Sequence, residues 1–215
     1  MGASGWFTGV DREAGEVRRV LLPPISVNDP KPWAHGTHHP VRIVLHDTES
    51  HDTAGVAEIR GVFNFWHTQK NPDGTLAKYG AHFVVDKDGN VGRGGDPTQI
   101  QWHVTNLNTG SIGIEQIGFA TFRNLVWRRE RRKQLYAVAR IIAWAHGRYG
   151  IPIRVRRDPR LPGVTTHRRV GMAGVDPSGH TDPGPHYPLG FVIFLAKMIQ
   201  RIGFRRTVAA TPGGR

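Results

Sequence analysis

Three separated segments of the chain carry side chains that could hold a metal ion. His46 closes the run Val41-Arg42-Ile43-Val44-Leu45, Thr165-Thr166-His167-Arg168-Arg169 offers a second imidazole, and Gly179-His180-Thr181-Asp182-Pro183-Gly184-Pro185 offers a carboxylate. A catalytic zinc ion takes three protein ligands from His, Asp or Glu and keeps a fourth position for water. Asp182 is the most informative of these residues. Pro183 disfavours helical backbone at the residue before it and Gly184 permits a sharp bend, so the carboxylate is presented from a stiff turn. By itself Asp-Pro-Gly-Pro reads as a surface turn, and a lone strand histidine as a satisfied core residue. A fourth segment, Ser111-Ile112-Gly113-Ile114-Glu115, changes that reading by ending in a glutamate. Together the four describe a metal, a water and a carboxylate able to take the water's proton, which is the chemistry of metal-assisted hydrolysis.

Hydrophobic period identifies the elements that must position these residues. Residues 41–46 form a short, β-branched, apolar run expected to be a buried strand, with His46 at its C-terminal end, where open α/β sheets place their chemistry. Over Ala54 to Thr68, Val56, Ile59, Val62, Phe63 and Trp66 recur at helical spacing, and Asn71-Pro72-Asp73-Gly74 then forces a turn. Residues 81–91 read as a hairpin whose turn residues are Asp88-Gly89. Ser111 to Glu115 is a further strand. Glu130 to Arg148 is the strongest helix, carrying Leu135, Val138, Ile141, Ile142 and Ala145 on one stripe, and Tyr187 to Ile202 is a second. The segment around His167 reads as loop. Pro23, Pro24, Pro30, Pro32 and Pro40 make residues 1–40 an irregular arm. The expectation is one α/β catalytic domain over 41–204 and a polar, Gly-rich, flexible tail over 205–215.

With 38% hydrophobic residues among 215, the chain can bury one sizeable core. It has no cysteine, which removes disulfides, thiolate ligands and a cysteine nucleophile. A formal charge of +12 favours polyanionic surroundings such as the anionic polymers of a bacterial wall. The basic residues fall in scattered clusters, Arg128 to Lys133, Arg154 to Arg160, Arg168-Arg169 and Arg205-Arg206, and read as solvated faces. They build no recognisable nucleic-acid module, so no specific nucleic acid is expected as partner. The N-terminal residues lack a cationic end followed by an apolar run, and Phe191 to Ile199 is too short to cross a bilayer, so neither an export signal nor a membrane span is expected. A monomer is expected.

The motifs Val-Leu-His46-Asp-Thr-Glu, Gln-Trp102-His103, Ile-Gly-Ile-Glu115 and His167 with His-Thr-Asp182-Pro-Gly-Pro occur in this order over residues 40–190. On them the sequence resembles the zinc-dependent N-acetylmuramoyl-L-alanine amidase type 2 family, which includes phage lysozyme-like amidases, a muropeptide-recycling amidase and peptidoglycan recognition proteins. The resemblance implies a central mixed β-sheet flanked by helices, with zinc in a groove on one face. It implies one zinc ion per chain, held by His46, His167 and Asp182, with Glu115 in the place of the family's catalytic glutamate. Some relatives use a tyrosine where this chain has Ala81, leaving Glu115 as the base candidate. Two residues before the aspartate, several relatives carry a lysine that stabilises the transition state; here His180 stands, able to donate a hydrogen bond to a developing oxyanion. Trp102 and His103 match a pair that would contact substrate. The long spacing from His167 to Asp182 implies an inserted loop at Gly171 to Gly179, which leaves His180 or His186 as alternative ligands. His82 is expected to be structural, and His35, His38 and His39 to be loop histidines.

The substrate implied by the resemblance is peptidoglycan, cut at the amide between the lactyl group of N-acetylmuramic acid and L-alanine. The positive charge points to a phage or prophage endolysin made in the cytoplasm and released to the wall by a holin. The alternatives are a cytoplasmic recycling amidase and a non-catalytic receptor of the same fold.

Overall fold

In a computed structural model of the chain, residues 22–29, 36–52 and 55–209 are described, the last six as backbone only. The apolar run before His46 forms strand β2 (Arg42–Asp47), after an edge strand β1 (Ile25–Asn28). Helix α1 (Val56–Thr68) follows, then the hairpin β3 (Phe83–Val85) and β4 (Val91–Arg93), a 3-10 turn at Thr105–Leu107, and β5 (Ser111–Gln116). Helices α2 (Asn124–Arg129) and α3 (Arg132–Tyr149), strand β6 (Gly163–Thr166), and helices α4 (His167–Met172) and α5 (Leu189–Ala209) complete the order.

The six strands make one mixed sheet in the order β1-β4-β3-β5-β2-β6. Only β3 and β4, joined by the Asp88-Gly89 turn, are antiparallel; every other neighbouring pair is parallel. Alternation along the strands divides the sheet into two faces. Ile43, Leu45, Ile112, Ile114, Phe83 and Val85 point to one side, where Leu135, Val138, Ile141 and Ile142 of α3 and Val192 and Ala196 of α5 bury them. The other side is shared. Ile59, Phe63 and Trp66 of α1 cover Val27 and Val84, while Val44 meets Val104, Leu107, Val170 and Val175 in a smaller cluster. Because α1 covers only the β1, β4 and β3 half of that face, the C-terminal ends of β2, β5 and β6 stay open for chemistry.

The fold class is the one expected, with four local differences. Within the supposedly irregular arm, Ile25–Asn28 is a strand, with Val27 buried; Pro23 and Pro24 lie just before it at the sheet edge, where a missing N–H is tolerated. The segment before His167 is a strand, Gly163–Thr166, buried throughout and too short to display a period. Helix α2 arises from residues that showed no clear stripe. Helix α5 runs to Ala209, past the expected start of the tail at 205. Residues 1–21 and 30–35 of the arm, His35 among them, and 210–215 of the tail lie outside the described residues. No helix among the described residues is long and apolar enough to cross a membrane.

The basic run at the start of α3 is not a solvated face throughout. Arg131 is buried: its Nη1 donates to the carbonyl of Ile117 at 2.5 Å and lies 3.4 Å from Oδ2 of buried Asp52. It thereby ties the α2–α3 junction to the end of β5. Removing a charged partner from a buried pair costs about 3–5 kcal/mol, because the other charge is left uncompensated. Arg131→Ala is expected to lower the melting temperature by about 6–20 °C, at about 2–4 °C per kcal/mol for a domain of this size. Exposed Arg129→Ala should shift it by no more than about 2 °C, within the small range of ordinary surface substitutions; thermal unfolding by circular dichroism compares the two.

Candidate metal centre

Parallel pairing sets the level of the site. His46 on β2 is the register partner of Glu115 on β5, and Leu45 is that of Thr166 on β6, so His167 follows one step beyond the ladder. The side chain of Gln116 locks this end of the sheet: its Nε2 donates to the carbonyl of His46 at 3.0 Å and its Oε1 accepts from the Tyr187 hydroxyl at 2.8 Å. Thr166 caps α4 by accepting from the N–H of Arg169, turning the chain sharply after the strand. Asp182 is joined to the same turn, since its carbonyl accepts from the N–H of Arg168 at 2.7 Å. The Asp182-Pro183 bond is cis, and Gly184 has φ +84°. A Cβ at Gly184 would fall 1.9 Å from the carbonyl oxygen of Ala120, so only glycine lets this bend close on the β5–α2 connection.

These constraints bring His46, His167 and Asp182 together. All three are buried, and their candidate ligand atoms lie within 4.8 Å of one another. His46 Nδ1 is 3.1 Å from His167 Nδ1 and 3.1 Å from Asp182 Oδ2. The outer nitrogens have their own partners: His167 Nε2 donates to Asp176 Oδ2 at 2.5 Å, and His46 Nε2 lies 3.0 Å from His103 Nδ1. With its proton on Nε2, His167 turns an Nδ1 lone pair toward the His46 nitrogen and a carboxylate. A cluster of lone pairs at this distance repels itself unless a cation or a proton sits among them. Two imidazoles, one carboxylate and burial fit a zinc ion, whose usual donors are these.

Burial alone would push Asp182 up, but His167, His180 and His46, wherever they turn a proton toward it, hold its carboxyl well below the ordinary carboxylate range. Burial lowers His46, offset in part by Asp182. Glu115 goes the other way. Burial, then the charges of Asp182 and Asp47, hold its carboxyl well above the ordinary range, and its Oε2 is buried with no hydrogen-bond partner. An unpartnered carboxylate oxygen beside a cation site is placed to exchange a proton with a water there.

His180 stacks on His167 with ring centroids 4.5 Å apart, and its Nδ1 is 3.6 Å from Asp182 Oδ1. That carboxylate raises its pKa despite partial burial. His180 is exposed and stands beside the buried ligand trio, while His186 lies exposed beyond the bend. Trp102 is exposed, with Lys78 Nζ 5.4 Å from its ring centre. His103, expected to contact substrate, is turned inward against His46 and packs over Gly113, where a Cβ would come within 2.7 Å of its ring. Behind it, His82 accepts from the N–H of Gly113 and donates to the carbonyl of Gln99, the structural role expected. His38 likewise bridges backbone, donating to Pro97 and accepting from Gly110.

Two carboxylates absent from the expected set belong to the surroundings. Asp176, in the segment read as an inserted loop, holds His167. Asp47, next to His46, lines a cavity of about 360 Å³ with Thr48, Glu49 and residues 178–182. Nothing in the sequence signals Asp176, because its contact depends on how the segment folds back. Asp47 was legible as the residue after a ligand, at a strand end.

Fold and site together define a class: a mixed sheet flanked by helices, with a candidate two-histidine, one-aspartate centre at the ends of parallel strands. Residues 36–185 match the family described as N-acetylmuramoyl-L-alanine amidase, and the chain belongs to that family. No curated protein matches it in sequence. Among solved structures it is similar to the Staphylococcus aureus hydrolase AmiA in complex with its ligand, at 18% identity over 85% of this chain and 87% of that one, with a TM-score of 0.62. It is also similar to the endolysin N-acetylmuramoyl-L-alanine amidase LysCS from Clostridium intestinale, at 18% identity, 80% and 95% coverage and a TM-score of 0.51. Drosophila peptidoglycan recognition protein SD matches at 19% identity, 74% and 83% coverage and a TM-score of 0.51. At these identities the likeness establishes the fold.

Asp47 generates a prediction about stability. Both its oxygens are buried without hydrogen-bond partners. Burial, then the charges of Glu49 and Asp182, push its carboxyl from 3.8 up to about 8. The unfolded chain therefore ionises first as pH rises, and stability falls between about pH 4 and pH 8. In metal-free protein, Asp47→Asn should melt several degrees above the parent at pH 8, with the difference closing toward pH 4; equal melting temperatures across that window would contradict the assignment.

Proposed function

We propose that this chain is a zinc-dependent N-acetylmuramoyl-L-alanine amidase that hydrolyses the lactyl–L-alanine amide of peptidoglycan. The observation that carries this reading is the buried meeting of His46, His167 and Asp182 beside the unpartnered Glu115, in a chain of this family. His46, His167 and Asp182 would hold one zinc ion, which would supply Lewis acidity toward a carbonyl and toward a water near neutral pH. Glu115 takes the proton of the attacking water on Oε2 and returns it to the leaving amine; its raised pKa makes it a stronger base once ionised. His180, kept protonated to higher pH by Asp182, donates to the developing oxyanion from the open side of the site. His103 holds His46 from behind, and exposed Trp102 offers an aromatic face to the sugar or peptide.

The setting we assign is that of a phage or prophage endolysin, a monomer made in the cytoplasm and reaching the wall after holin-type release. Its support is the +12 charge, which concentrates the enzyme on anionic wall polymers. The acidic residues Asp47, Glu49, Asp182 and Glu115 gather at the site, whereas the basic residues are spread along the chain.

Digestion of purified cell walls tests the activity. New alanine amino groups should appear without new reducing sugars, and chelation should abolish their release until zinc is restored. Full activity in metal-free protein, or reducing ends without free alanine, would refute the reading. Glu115→Gln should keep its zinc and lose about 10²–10⁴-fold in kcat. His180→Ala should also keep its zinc and lose about 10²–10³-fold. A His180 variant that loses zinc while His167→Ala retains it would reassign the third ligand.

A further inference from the structure

Each ligand histidine has a second nitrogen, and the two are treated differently. His46 Nε2 faces a neutral imidazole, His103. His167 Nε2 faces a carboxylate, Asp176 Oδ2, at 2.5 Å. Asp176 is 3% exposed and held from its other side as well: Oδ1 accepts from Thr105 Oγ1 at 3.0 Å and from the N–H of Ser178 at 2.9 Å. The turn that carries it is braced independently, since Asn106 Nδ2 donates to the carbonyl of Val175 at 2.9 Å and Val175 packs with Val44, Val104, Leu107 and Val170. A carboxylate whose Oδ1 is held by two donors of its own cannot follow a wandering ring, so the ring must follow it.

We propose that Asp176 is the positioning residue for His167, fixing its proton on Nε2 and its Nδ1 toward the centre, and that the 173–178 turn exists to hold it there. The inference rests on the zinc reading above and goes further: it places control of metal affinity on a residue outside the ligand set, in the segment that lengthens the spacing from His167 to Asp182. Two physical effects act together. The hydrogen bond excludes the tautomer with a proton on Nδ1, which could not bind a cation. The negative charge on the far side of the ring makes Nδ1 a better donor, as outer-shell carboxylates do for metal-bound histidines. Thr105 and Asn106 extend the same support to the 3-10 turn, so the strand-end ligand and the turn between β4 and β5 are braced as one unit.

The test is zinc affinity of the full chain, measured by competition with a chromophoric chelator, beside the melting temperature of the metal-free protein. Asp176→Asn keeps the shape and an acceptor but removes the charge; its zinc dissociation constant should rise about 10-fold, and that of Asp176→Ala about 100-fold. Thr105→Val, which frees one side of Asp176, should give a smaller rise. Because Asp176 is buried and hydrogen-bonded, Asp176→Asn should also lower the metal-free melting temperature by several degrees; Arg131→Ala, which removes stability away from the site, should leave the zinc dissociation constant within about twofold of the parent's. Unchanged zinc affinity in both Asp176 variants overturns the proposal, and so does a loss of affinity that merely tracks a loss of metal-free stability. A parent chain that binds no zinc overturns the metal reading itself, a result separate from variants that bind as tightly as a zinc-binding parent.

Discussion

Two imidazole nitrogens and the two oxygens of one carboxylate, from three residues separated in sequence, meet inside the protein with neighbouring pairs 3.1 Å apart. Left alone such a cluster is unfavourable, and the surrounding structure is organised to hold it. In-register parallel pairing of β2 with β5 and β6 brings the strand ends carrying His46, Glu115 and Thr166 to one level. The α3 and α5 layer then fixes the sheet from the opposite face through Ile43, Leu45, Ile112 and Ile114, residues that alternate with Val44, His46, Gly113 and Glu115. A register slip of one residue in β2 would turn His46 toward the α3 core and Leu45 toward the groove. The hydrophobic pattern that makes the sheet fold thus also orients the ligand.

The charge distribution follows from the same need. A chain with a net +12 gathers carboxylates here: Asp182 and Asp176 against histidines, and Asp47 and the Oε2 of Glu115 buried without hydrogen-bond partners. The first pair is held low by hydrogen bonds and the second is pushed up by burial and by its neighbours. Environments that drive neighbouring carboxyls apart suit them to different tasks, and in the function we propose Asp182 binds the metal while Glu115 exchanges the proton. A cation in the cluster would favour the ionised form of all four.

Much of this was legible in the sequence because it depends on local pattern. The runs ending in His46 and Glu115 read as strands from their β-branched composition, and the Asp-Pro-Gly-Pro bend read as a stiff presentation of Asp182. The α1 and α3 stripes were visible at their true spacing. What stayed hidden depends on tertiary contact. Ile25–Asn28 and Gly163–Thr166 are four residues each, too short to show alternation, and become strands only by pairing with β4 and β2. Arg131 sits in a run of basic residues whose composition indicates solvent, yet the end of β5 buries it. Asp176 has no motif, because what matters is the fold-back of residues 173–178 onto Thr105 and Asn106.

The histidines show why residue type alone could not sort the site. His38, His82, His103, His46 and His167 run through the interior near one another, with ring centroids between neighbours of 4.7 to 6.2 Å. They differ in where their nitrogens point. His38 and His82 each satisfy both nitrogens with backbone groups, which fixes their tautomers and leaves nothing for a ligand. His103 spends Nδ1 on His46 and buries Nε2 without a partner. Only His46 and His167 have an inner nitrogen facing another lone pair and an outer one facing a partner. Gly113 makes the distinction possible, since any side chain there would displace His103 and remove the support behind His46. A histidine is therefore a candidate ligand here not by its place on a strand end but by where its nitrogens point, one to a partner outside the cluster and the other to the Asp182 carboxylate and the second imidazole.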